Sequence, residues 1–237
     1  MTAVTLENDQ TTPVAASESG FTAELGRRYA HLFEDFYQHP FLSGLRDGTL
    51  APEKVQHYVG QDHQYLSAYV RCYGLGLTLA PDREWMRYFH ERTGFLLDDE
   101  SEAHLALCAR LGVTYEDAQV ERLAPSAKAY VDHMMEAGRD TLGTLLAALL
   151  PCPWTYIWAA DRYAHAEPIQ DDHPFAGWWR FYADDSCLQM LEEMRAKLDA
   201  VAAQAGPEER ARMELAFELS VRHEIRFWQM AWSLETW

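Results

Sequence analysis

The chain has 237 residues, 48% hydrophobic and 24% charged, a balance that suits one sizeable globular core and is short for two. Its formal net charge of -17 excludes the basic footprint that nucleic acid demands and opposes docking on anionic membranes. The four cysteines, Cys72, Cys108, Cys152 and Cys187, form no C-x-x-C pair, so zinc is not expected and a cytoplasm with reduced thiols is the simplest setting.

Residues 1–19 are polar, lack aromatic side chains and show no period, which predicts a disordered tail ahead of a single domain over 20–237. The start carries no secretory pattern. From Phe21 onward apolar residues recur at helical spacing, predicting helices near 20–38, 53–80, 83–111, 126–140, 141–165, 174–182, 184–204 and 207–233. Asp47-Gly48 and Ala80-Pro81-Asp82 punctuate helix ends. Gly206-Pro207 reads as a C-cap followed by a proline that opens the last helix. The longest apolar run, 142–154, is shorter than a membrane span and contains Pro151 and Pro153. No alternating β-branched run stands out as a strand. One all-α domain is expected.

Polar residues on apolar stripes are the candidates for function. In the second helix Tyr58, Asp62, Tyr65 and Tyr69 share a face flanked by Val55, Val59 and Leu66. A carboxylate placed there needs donors or a ligand, because an unpaired buried charge is very costly. In the last helix Glu224 sits at the centre of a stripe of Phe217, Ser220, Val221, Phe227, Trp228 and Ala231. Such a carboxyl should have a raised pKa and hold a proton near neutrality, unless it is half of a buried salt bridge. Within LLAALLPCPWTY, residues 145–156, two prolines interrupt a buried helix with Cys152 in the break. A thiol at a new helix N-terminus can be drawn toward the thiolate, although a buried Cys is more often a small hydrophobe. Glu100 and His104 lie four apart on a stripe with Phe89, Leu96, Leu107 and Leu111. They are either an internal hydrogen-bonding pair supporting a neighbouring site or half of a metal site.

Five blocks in order resemble the thiaminase II (TenA) family: residues 39–66, HPFLSGLRDGTLAPEKVQHYVGQDHQYL; 125–134, PSAKAYVDHM; 145–156; 173–185, HPFAGWWRFYADD; and 222–232, RHEIRFWQMAW. The resemblance implies a heme-oxygenase-like helical bundle without heme, assembled as a homotetramer. It implies hydrolysis at the 5-methylene of a 4-amino-2-methylpyrimidine for thiamin salvage, with thiamin itself a slower substrate. By the same resemblance the catalytic residues are Cys152 and Glu224. Asp62, Tyr65, Tyr130, Tyr156, Tyr182 and Phe227 bind the small-molecule substrate. No metal, cofactor, nucleic acid or membrane is called for. Pro153 departs from the family pattern, in which an aromatic residue can follow the cysteine. Two other readings stay open: a metal-dependent or cofactorless oxidase on the same bundle, with Glu100, His104, Asp62 and Glu224 as ligands, and a non-catalytic regulatory protein.

Overall fold

The computed structural model describes residues 19–98, 101–120 and 122–237, apart from the side chains of residues 98 and 101. The expected tail lies outside the described residues, save Ser19. Helix α1 (Phe21–Arg28) and helix α2 (Ala30–Tyr37) replace the single helix expected over 20–38. They meet at Tyr29, whose φ of -103° and ψ of 14° leave the helical region with no Gly or Pro to announce it. Helix α3 (Pro40–Arg46) was not anticipated. Its signals are local: Pro40 at the first turn, and the His39 ring accepting from the Phe41 N–H at 3.1 Å.

Helix α4 (Pro52–Leu79) runs as expected. The span 83–111 is covered by α5 (Arg83–Asp98) and α6 (Ser101–Leu111). Gly112 then takes φ +68°, a left-handed turn that suits glycine. The turn leads into the four-residue helix α7 (Tyr115–Ala118), which no periodicity could announce. A capping box marks its start, with Thr114 and Asp117 each satisfying the other's backbone N–H. Helix α7 lies close against α4 because position 60 is glycine: a Cβ there would stand 2.4 Å from the Ala118 carbonyl oxygen.

The rest are α8 (Pro125–Ala137), α9 (Leu142–Leu149), α10 (Pro151–Ala166), α11 (Ala176–Tyr182), α12 (Asp185–Gln204) and α13 (Pro207–Ser233). Gly206 is not the C-cap that was expected; Ala205 fills that place at the end of α12. Gly206 has φ -71° and ψ 169°, extended as a residue before proline prefers, and serves as the N-cap of α13.

The prolines at 151 and 153 act differently from the expected break. Leu150 keeps helical dihedrals (φ -58°, ψ -38°), so the chain passes from α9 into α10 without leaving the helix. What the prolines remove is donors. The Leu149 carbonyl loses the N–H that residue 153 would have supplied, and the Tyr69 hydroxyl donates to it instead at 2.7 Å. The Ser220 hydroxyl donates to the Ala148 carbonyl at 2.8 Å. The run Leu142–Ala166 is long and apolar enough to cross a membrane, but its most apolar window is 83% buried in the bundle. Here the apolarity serves packing. Helix α9 lies chiefly against α13, with α8, α12, α4 and α10 around it. The core also holds Trp154, Trp178, Trp179 and Trp228, all fully buried. Burial of side chains this large contributes roughly 1.5–3 kcal/mol each.

Candidate active site

Helices α4 and α13 cross the core side by side, and each brings one buried carboxyl to the same region. Asp62 is 5% exposed and Glu224 2%. Their surroundings differ. Asp62 Oδ2 lies 2.7 Å from Nε2 of His104, which α6 supplies from inside the bundle. Glu224 Oε1 accepts a 2.7 Å hydrogen bond from the Tyr130 hydroxyl on α8, and the Cys152 thiol on α10 also bonds to this carboxyl. Its partners are thus a hydroxyl and a thiol rather than a cation, which answers the salt-bridge alternative. Burial pushes the Glu224 pKa up to about 8, and nearby Asp62 adds to the rise, while the bonds from Tyr130 and Cys152 pull against it.

Aromatic rings enclose these groups. Tyr65 lies with its centroid 4.9 Å from Tyr130 and 5.5 Å from Phe227. Tyr156 packs 5.0 Å from Trp228 and 5.2 Å from Tyr182. Burial raises the phenols of Tyr65, Tyr130 and Tyr156 well above their ordinary range, so each stays a neutral donor. The Tyr58 hydroxyl, set among Tyr156, Trp178 and Asp62, closes no hydrogen bond of normal geometry. The Tyr65 hydroxyl and the indole N–H groups of Trp178 and Trp228 are likewise buried and close no hydrogen bond of normal geometry. Buried orphan donors are rare in a finished core and are what a polar ligand would satisfy.

A small cavity opens beside the cluster. Cys152, Tyr156 and Tyr182 stand in its wall, with Tyr69, Phe181 and Met190. Cys152 is half-buried, whereas Cys72, Cys108 and Cys187 are buried. All eight residues expected to form the site therefore converge on this part of the bundle. Tyr69 faces it too, but its hydroxyl is committed to the Leu149 carbonyl. Glu100 lies outside the described residues. His104 is paired with Asp62 and with the Tyr115 hydroxyl. Sequence reasoning missed Tyr115, His63 and the indoles of Trp178 and Trp228. For Tyr115 the available signal was the capping box at Thr114. Among the described residues, no three His, Cys, Asp or Glu side chains gather as a metal site would require.

The TENA/THI-4/PQQC family model matches residues 27–234. The chain belongs to this family. An aminopyrimidine aminohydrolase from Halalkalibacterium halodurans is 33% identical over 219 residues, which cover 92% of this chain and 97% of the relative. Among solved structures, a TenA homologue from P. horikoshii OT3 superposes with a TM-score of 0.79 at 26% identity, covering 91% of this chain and 99% of that one. A domain of unknown function with a heme oxygenase-like fold from Shewanella denitrificans gives a TM-score of 0.69 at 12% identity, covering 90% and 92% of the two chains. The bundle is therefore heme-oxygenase-like, as the TenA resemblance implied.

Proposed function

We propose that this TenA-family protein hydrolyses 4-amino-5-aminomethyl-2-methylpyrimidine to 4-amino-5-hydroxymethyl-2-methylpyrimidine and ammonia, with thiamin a slower substrate. The observation that carries the reading is the buried Glu224 carboxyl, high in pKa, bonded to both the Tyr130 hydroxyl and the Cys152 thiol. A nucleophile and a proton carrier in contact are what covalent catalysis on a flat ring requires.

In this mechanism Glu224 protonates a ring nitrogen as the Cys152 sulfur adds to ring carbon 6, and the thiol proton passes to the carboxylate so formed. The ring becomes an enamine. Its 4-amino lone pair drives out the leaving group as ammonia, which departs with the proton carried by the substrate's ammonium. Asp62, accepting from the 4-amino group, stabilises the positive charge that develops there. Water then adds to the exocyclic methylene and gives its proton to the released ammonia. Glu224 takes back the ring proton as the carbon–sulfur bond breaks, and the thiol regains its own. Tyr65, Tyr130, Tyr156, Tyr182 and Phe227 form the walls and donors of the ring pocket. The acid, the nucleophile and the acceptor are all side chains, so the scheme draws on no metal or cofactor. In keeping with the family resemblance, we place the protein in thiamin salvage, in the cytoplasm, as a homotetramer.

The test is ammonia release from 4-amino-5-aminomethyl-2-methylpyrimidine by purified protein, before and after chelation. Turnover that survives chelation is expected. Absence of turnover with this substrate and with thiamin would favour the regulatory reading, and activity lost on chelation and restored by iron or manganese would favour the oxidase.

A further inference from the structure

Four sulfur-bearing side chains stand in the wall of the cavity beside the two carboxyls: Cys152 on α10, and Cys187, Met190 and Met194 on α12. The three on α12 are spaced three and four apart, so one face of that helix meets the space with sulfur-bearing residues. Cys187 and Met194 are each 2% exposed, while Cys152 and Met190 are half-buried. Of the four, only Cys152 takes part in the proposed reaction.

The rest of the wall narrows what these sulfurs could hold. Its residues are aliphatic or aromatic, and none is a carboxylate, an imidazole or a cation. Hard ions such as magnesium or calcium need oxygen ligands and find no carboxylate there. Thiolate and thioether sulfur are soft donors and select soft ions, copper(I) first among them. Charge selects in the same direction. A monovalent ion is neutralised by one thiolate, whereas a divalent ion so bound would leave a charge in apolar surroundings at high cost. The faces of Tyr69, Tyr73, Tyr156 and Tyr182, all in the same wall, also favour a cation.

We propose that this cavity binds one soft monovalent cation, copper(I) or its chemical analogue silver(I), through the sulfurs of Cys152, Cys187, Met190 and Met194. Two of the four ligands are thioethers, so the site does not need three His, Cys, Asp or Glu side chains. Binding forms a bond from the ion to the Cys152 sulfur and sends the thiol proton to solvent, with no change of oxidation state. The Cys187 thiol donates to the Phe181 carbonyl at 3.3 Å and keeps its sulfur lone pairs for the ion. The thioethers carry no proton and ligate as they stand. The ion is a blocking ligand, not a cofactor, because it occupies the sulfur that would attack the ring. That consequence rests on Cys152 being the nucleophile; the binding does not.

The test is anaerobic titration of the purified protein with copper(I) against a chromogenic copper(I) chelator, and with silver(I) by calorimetry. One tight equivalent is expected. Met194→Leu conserves volume while removing a thioether, and Cys187→Ala removes a thiol. Each should weaken binding at least about tenfold, and Cys152→Ser should weaken it further. Met194→Leu serves if Cys187→Ala disturbs the fold. Cys72→Ala and Cys108→Ala, at buried thiols outside the cavity wall, should leave binding unchanged. X-ray absorption of copper-loaded protein should show a first shell of sulfur alone. The site is overturned if no equivalent outcompetes the chelator, if Met194→Leu and Cys187→Ala both bind as the parent does, or if nitrogen or oxygen fills the first shell. Ammonia release by loaded protein separates the two readings. Full turnover with the sulfur site occupied would refute Cys152 as the nucleophile and leave the site standing.

Discussion

The Tyr130 hydroxyl donates to Glu224 across 2.7 Å, joining α8 to α13 inside the core. One carboxyl oxygen is thereby oriented while the group as a whole remains desolvated, and the pKa stands at about 8. A carboxyl held in this way can give up a proton near neutrality and take it back.

Glu224→Gln keeps the size and the hydrogen bond but cannot cycle a proton. We expect kcat to fall by roughly 10²–10⁴, the usual worth of a positioned general acid. Direct binding of product should change far less. In the parent, kcat/KM should decline above about pH 8 as the carboxyl loses its proton. A near-normal kcat in the Gln variant would refute the assignment.

The same group should mark the stability curve. Its ordinary pKa is 4.5 and its folded value about 8, so between those limits the folded protein holds a proton that the unfolded chain has released. Stability from this group is therefore complete below the lower limit and is lost as pH rises through the window, by at most about 1.4 kcal/mol per pH unit. Glu224→Gln lacks this dependence. Melting curves of parent and variant from pH 5 to 8 should show the difference moving steadily in favour of the variant.

Cys152→Ser should abolish turnover and leave the fold intact, since a hydroxyl is a far weaker nucleophile at neutral pH. Steady-state ammonia release decides the matter. Activity within about tenfold of the parent, only ~1.4 kcal/mol of barrier, would sink covalent catalysis.

Asp62→Asn exchanges a charged acceptor for an amide. A hydrogen bond to a charged group is worth roughly 1.5–3 kcal/mol, so kcat/KM should drop about ten- to a hundredfold. An unchanged kcat/KM would leave Asp62 a structural partner of His104.

Tyr69→Phe tests the proline device. It strands the Leu149 carbonyl in the core and should cost about 1–3 kcal/mol in denaturant unfolding. Pro153→Ala restores the backbone donor that Tyr69 replaces, so in that background the cost should shrink. An additive double-mutant cycle would show that the two are not coupled.

Most of the bundle was legible because its helices are long enough for a 3.6-residue period to register. Asp62 and Glu224 were legible for a related reason: each breaks an apolar stripe at its centre. The split at Tyr29 was not, because its backbone departs from the helix with no Gly or Pro to mark the place. The continuity at Leu150 agrees with the single helix expected over 141–165; the break read from the two prolines is what the backbone lacks, since only donors are missing. Tyr130 came from the family resemblance, since nothing in its own helix sets it apart. Tyr115 and the orphan indoles escaped because their meaning lies in contacts between elements distant in sequence.

The run Leu142–Ala166, the most apolar stretch of the bundle, has a consequence for synthesis on the ribosome. The chief cover of its first half, α13, is made well after it. Roughly 70 residues separate the end of one from the end of the other, so at about 5–20 residues per second the segment waits on the order of several seconds without its partner. During that interval a stretch of membrane-crossing length and composition is only partly covered. The nascent chain is then at its most exposed to aggregation, and a message truncated before α13 yields a product that cannot bury it.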